Sequence, residues 1–272
     1  MIKQIENLIN NKKDCPVKFD NLIYVCQGGS HIAGTNDDTS DFDFRSIAIP
    51  SDDYVIGIDK FEHTKVVTEK NKINQFEDFD LEIFSFDYFI NQAANGEVIP
   101  TEMLWVDNKY VHKKSDIMNL LLDNRDLFLS KNVVFRYMGF VKGCINRAFL
   151  PIEIVEKDAK RPDRIERVRK YGYETKFVMN AIKCLRICVG LLKNNQIELY
   201  REDKEELLDI KNGKLGHFDK GITEAKKVIY ELEQEKECLL QQSSLPKRAN
   251  KELVNKFKKN FFIKVIKEVY GY

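Results

Sequence analysis

The chain has 272 residues, of which 43% are hydrophobic and 32% charged, and its formal net charge is +1. That length allows one large domain or two small ones, and the near-zero balance excludes a polycation held to nucleic acid by overall charge. The segment MIKQIENLINNKKDC lacks the apolar core of a secretory leader, and no run of about eighteen apolar residues occurs. A cytoplasmic protein with no membrane partner is therefore expected.

In chain order, residues 1 to 12 read as an amphipathic helix with Ile2, Ile5, Leu8 and Ile9 on one side. LIYVCQ (22–27) is a buried-type strand ended by Gly28-Gly29. Residues 30 to 40 carry polar breakers and read as a turn or short helix. DFDFRSIAI (41–49) is a second strand, stopped by Pro50. VVTE (66–69) and the alternating DLEIFSF (80–86) are further strands. DYFINQAAN (87–95) is helical, and EMLWV (102–106) is an apolar piece of undetermined type.

From about residue 116, helical periodicity dominates: DIMNLLLDNRDLFL, VVFRYMGFVKGCINRAFL, ETKFVMNAIKCLRICVGLL, ITEAKKVIYELEQEKECLLQ and KELVNKFKKNFFIKVIKEV. Between the second and third, EKDAKRPDRIERVRKYGY is dense in charge and reads as an exposed or mobile connection. The expected division is an α/β part over 1–115 and a helical part over 116–272.

The six cysteines, Cys15, Cys26, Cys144, Cys184, Cys188 and Cys238, form no C-x-x-C pair and read as free thiols of a reducing compartment. Cys184 and Cys188 stand one helical turn apart, but no histidine or other cysteine lies near them in sequence to complete a zinc site. The four histidines are scattered, and no Ser-His-Asp order or Walker A loop occurs.

The chemistry concentrates in GGSHIAGTNDDTSDFDF (28–44). In a strand, side chains at i and i+2 share a face, so Asp41 and Asp43 point the same way, with Arg45 next. Phe42, Phe44 and Ser46 point into packing. Two carboxylates side by side need a counter-charge, and an oxygen-preferring divalent cation supplies one. Two such ions about 3.5–4 Å apart serve phosphoryl-type transfer. A third acid from another strand would complete the set, and Asp80 and Glu82 are both candidates. Gly28, Gly29 and Ser30 would let backbone N–H groups and a hydroxyl approach phosphate oxygens.

Gly29-Ser30, ten residues, then Asp41-Phe42-Asp43 resembles the signature of the DNA polymerase β-type nucleotidyltransferase superfamily. GSHIAG followed by SDFDFRSIAIP is similar to the pattern of its RlaP-like group, associated with RNA-repair ligases. FDLEIFSFDYFINQAANGEVIPTEMLW, GYETKFVMNAIKCLRI and SSLPKRANKELVNKF resemble later segments of that group. His31, Gly96 and Asn180 depart from it, standing where Arg, Pro and often His are usual.

The resemblance implies an α+β fold: a polymerase β-like sheet with flanking helices, followed by an α-helical domain. It implies two Mg²⁺ or Mn²⁺ ions on Asp41, Asp43 and Asp80, the last also helping to deprotonate the acceptor, with Glu82 as second choice. Gly28, Gly29 and Ser30 would hold the triphosphate of an NTP such as ATP. Lys176 and Arg186, on the cationic side of the helix from Glu174, would reach that triphosphate. Read from its charge alone, and not from the resemblance, the basic run from Lys160 to Lys170 would track an acceptor's phosphates. The implied reaction moves an NMP from an NTP to an acceptor hydroxyl, an RNA or tRNA end, with release of pyrophosphate. The alternatives are a silent nucleotide- or partner-binding module of the same fold, and an enzyme that nucleotidylates protein.

Overall fold

The computed structural model describes residues 2–12, 15–37, 40–67, 79–157 and 162–271. Thr68 and Glu69 of the expected third strand, and Lys160 and Arg161 of the basic run, lie outside the described residues. The chain divides into two compact units. One comprises Met1–Ile32, Asn36–Asn132 and Pro246–Tyr272, the other Ala33–Thr35 and Val133–Leu245. The helices after residue 115 are thus shared between the units.

In chain order the elements are α1 (Ile2–Asn10), β1 (Leu22–Gln27), α2 (Gly29–Ala33), β2 (Phe42–Ala48), α3 (Asp52–Val55), β3 (His63–Val67), β4 (Phe79–Ser85), α4 (Phe86–Ala94), α5 (Val98–Met103), β5 (Val111–Lys114) and α6 (Asp116–Asp123). They continue with α7 (Lys131–Ala148), α8 (Ile152–Val155), α9 (Pro162–Tyr171), α10 (Thr175–Asn194), α11 (Lys204–Lys211), α12 (Phe218–Gln242) and α13 (Lys251–Glu268).

The first unit is built on a mixed sheet of order β3-β4-β2-β1-β5. β2 and β4 are parallel neighbours, while β1 and β3 run antiparallel to the strands they pair with. The alternation in β2 sends Phe44 and Ala48 to one face, where they join Ile5 and Ile9 of α1 and Leu81 and Ile83 of β4. Ile47 and Phe84 go to the other face, covered by Phe86, Phe89 and Ile90 of α4 and by Val254, Phe261 and Val265 of α13. β1 is buried along its whole length. This is why it reads as a continuous apolar run.

Ser85 ends β4 and caps α4, its hydroxyl accepting from Tyr88 N at 3.3 Å. Gly96, at φ +71°, takes the left-handed turn after that helix and donates to Ala93 O. The expected single helix over 116–129 breaks at Asn124, whose backbone leaves the helical region and whose amide donates to Leu120 O. EMLWV is the end of α5 and the turn after it. β5 and α11 were not anticipated from the sequence.

In the second unit, the buried side of α10 includes Ile182, Leu185, Cys188 and Leu191. The expected loose connection before it is largely helix: α9 buries Val168 and Tyr171, three residues apart. Its charges are engaged as well. Arg167 donates to Glu174 and to Asp163, and Arg169 to Glu156. The segment is exposed or half-buried over most of its described length, as its charge density indicates, but it is helical because several of these charges pair with one another along the surface. All six cysteines are free. Among the described residues, no helix is long and apolar enough to cross a membrane.

Candidate active site

β1 ends at Gln27, and the chain turns through Gly28 into α2. Gly28 N donates to Asp43 O at 2.8 Å, tying the turn to β2. Gly29 sits at φ +63°, and a Cβ there would overlap Asp43 Oδ2. Only glycine meets both demands without strain. A Cβ on Gly28 would lie 2.7 Å from Arg45 Nε. The two glycines are therefore set by the side chains of β2, and their bare backbone lies beside the acids.

Within the parallel ladder, Asp43 is the partner of Asp80 and Arg45 of Glu82. Neighbouring strands lie about 4.8 Å apart, so paired side chains on one face stand side by side. Burial, and then the adjacent Asp41, push the Asp43 carboxyl above its usual range; Asp80 adds to this, while Arg45 and Lys65 oppose it. Asp41 and Asp80 thus both act on Asp43 as like charges.

Two partners of this group were not foreseen. Lys65 on β3 places Nζ 3.3 Å from Asp80 Oδ2 and 3.8 Å from Glu82 Oε1. Glu102 of α5 accepts from Arg45 Nη1 at 2.7 Å, both side chains being largely buried. Burial alone would lower the Arg45 pKa, but the Glu102 carboxylate, with Cys26 and Asp43, more than offsets it and raises the value. The signal for Lys65 was its place in HTKVV, a cation on the edge strand beside the acids. Nothing in EMLWV marked Glu102 as the partner of Arg45.

Among the described residues, no three His, Cys, Asp or Glu side chains are gathered closely enough to enclose a metal ion. The three acids form a pair, Asp43 and Asp80, with Asp41 within electrostatic reach. The donor chemistry fits a hard divalent cation, since it consists of carboxylates that repel one another and are only partly balanced by Lys65.

In α2, His31 stacks on Phe42 with ring centroids 4.3 Å apart. Its Nε2 is buried without a hydrogen-bond partner among the described residues. The histidine that stands in place of arginine is thus packed on the α1 side of β2. Ser30 follows Gly29 in α2.

In the second unit, Lys176 lies in the first turn of α10 and is exposed. The Arg186 guanidinium donates to Asp203 and, through both terminal nitrogens, to Glu206. Arg201 also donates to Asp203. Arg186 is therefore part of an ion-pair network joining α10 to α11.

A mixed five-stranded sheet flanked by helices, with a glycine-serine turn facing in-register acids and a helical remainder, is an α+β architecture of the nucleotidyltransferase type. The chain belongs to the RNA repair pathway DNA polymerase beta family, RlaP, whose model matches residues 2–259. It is 33% identical over 117 residues to an uncharacterized 38.9 kDa protein of the nrdC-mobD intergenic region of Enterobacteria phage T4. That match covers 42% of this chain and 34% of the phage protein, so the similarity spans about a third of that relative. A nucleotidyltransferase-like protein from Exiguobacterium sibiricum, of known crystal structure, aligns over 91% of this chain and 74% of its own. Its TM-score is 0.31 and its identity 11%, a likeness too distant to bear on the site.

Proposed function

We propose that the protein is a metal-dependent nucleotidyltransferase that moves an NMP from an NTP to the hydroxyl of an RNA or tRNA end. The observation that carries this reading is the Asp43–Asp80 pair in the parallel ladder, beside the Gly28–Ser30 turn. Asp41, Asp43 and Asp80 would hold Mg²⁺ or Mn²⁺, which when bound draws charge from the phosphoryl oxygens and lowers the pKa of the attacking hydroxyl. Gly28, Gly29 and the Ser30 hydroxyl donate to the triphosphate oxygens. Asp80 accepts the proton of the acceptor hydroxyl. The new bond forms between that oxygen and the α-phosphorus, the α–β phosphoanhydride bond breaks, and pyrophosphate leaves. The chain's contribution is placement and a fixed field of charges.

The catalytic part is the sheet-bearing part, expected at 1–115. A cytoplasmic setting belongs to the same proposal, supported by six free thiols. The test supplies each labelled NTP with Mg²⁺ or Mn²⁺, and total RNA or total protein as acceptor. Label in RNA that disappears in Asp43→Asn supports the proposal. Label in protein supports a protein-nucleotidylating enzyme instead, and binding of NTP without transfer supports a silent module.

A further inference from the structure

The helices α7 and α10, 18 and 20 residues long, contain no aspartate or glutamate, although 32% of the chain is charged. Every charge on them is positive. Along α7, Arg136, Phe140, Gly143 and Arg147 recur at spacings of four, three and four, which places them on one stripe. Along α10, Lys176, Asn180 and Lys183 do the same.

Contacts within this unit bring the stripes together. The Arg147 guanidinium lies 5.0 Å from the centre of the Phe177 ring, and that of Arg164 from α9 lies 5.4 Å from it. Burial raises the Cys144 thiol pKa, while Arg147 and Lys183, one from each helix, both pull it down. Of the nearby acids, Glu174, 1% exposed, accepts from Arg167. Asp163 also accepts from Arg167 but stays exposed, within electrostatic reach of Lys176.

The stripe on α7 is also open. Phe140 is 46% exposed. A Cβ at Gly139 would meet nothing within 4 Å, and one at Gly143 would meet only Arg147 Nη2 at 3.4 Å. Packing therefore does not demand either glycine, and each weakens the helix relative to alanine. What they provide is bare backbone that another chain can approach closely.

We propose that the face formed by α7 and α10, whose own charges are all positive, binds single-stranded RNA, with phosphates on its arginines and lysines and an unstacked base on Phe140. Two adjoining helices whose own charges are all positive suit a polyanion, and an exposed ring beside cations suits a base rather than a closed duplex. The choice of RNA rests on the nucleotidyl-transfer reading; the surface itself does not.

The test is fluorescence anisotropy of a labelled single-stranded RNA with the full chain, over a range of salt. The Arg147→Gln/Lys183→Gln double variant lowers the slope of log affinity against log salt by about 1.4, at about 0.7 per lost phosphate contact. Phe140→Ala weakens binding about tenfold and leaves that slope unchanged. Lys142→Gln, on another side of α7, retains wild-type affinity and slope. Absence of RNA binding, equal binding by the double variant, an equal loss in Lys142→Gln, or binding of acidic protein in place of RNA would each overturn the proposal. Normal transfer with RNA binding untouched by these variants sinks the surface alone. RNA binding lost in the variants, in a protein that transfers no nucleotide, sinks the transferase reading alone.

Discussion

Gly29 and Asp43 are placed against one another so tightly that no side chain fits at residue 29: its Cβ would overlap Asp43 Oδ2, at a φ of +63° that side chains rarely adopt. The turn after β1 and the acid on β2 are therefore one unit of structure. Gly29→Ala must strain the backbone or push Asp43 aside. It should destabilise the fold by about 1–3 kcal/mol and abolish nucleotidyl transfer, as measured by thermal melting and labelled-NTP assay.

Asp43→Asn separates stability from function. Burial and then Asp41 raise the Asp43 pKa in the fold, so the folded state binds its proton more readily than the unfolded chain does. The contribution is fully present below the unfolded carboxylate pKa and is lost as pH rises through the raised folded value. In chelator, Asp43→Asn should flatten this decline and raise the melting temperature at neutral pH by about 2 °C or more, while transfer is lost. Melting curves across pH give the comparison.

Lys65 lies where an added cation would compete with it, 3.3 Å from Asp80. Lys65→Ala should tighten Mn²⁺ binding by about threefold to tenfold, since an exposed ion pair of about 1 kcal/mol no longer has to be displaced. Titration calorimetry on the nucleotide-free protein measures this directly. Equal or weaker binding would remove Lys65 as the resident counter-charge.

The network of Arg186, Arg201 and Asp203 should act on stability alone. Despite burial, which raises it, the Asp203 pKa is held below the usual range by its hydrogen bonds to Arg201 and Arg186. Its stabilisation is present above the unfolded carboxylate pKa and lost as pH falls through the lowered folded value. Arg186→Ala should cost about 1–3 kcal/mol at pH 7 and less under acid, with NTP affinity unchanged. Denaturant titrations at two pH values separate the outcomes.

The strands that carry the acids were legible because their alternation, turn residues and β-branched runs agree with one another. The pairing of Asp43 with Asp80 was not legible as a register, since the residues lie 37 apart and a parallel ladder leaves no local mark. β5 was hidden because VHKK is a short, cationic edge strand, the kind that blocks pairing with another chain rather than signalling a core. α9 was hidden because its apolar residues are few and its charges, which pair with others within about a dozen residues, read as a solvated loop. Lys65 and Glu102 act through contacts across strands and helices, which spacing along one element cannot display.

The first unit is discontinuous: α13, which closes one face of its sheet with Phe261 5.6 Å from Phe86, is encoded after the entire second unit. On the ribosome, the sheet must therefore wait through the synthesis of more than a hundred intervening residues before that face can be sealed. Until then Phe86 and its neighbours form a sticky surface, so nascent chains halted before residue 250 should recruit chaperones that the finished protein has no need of.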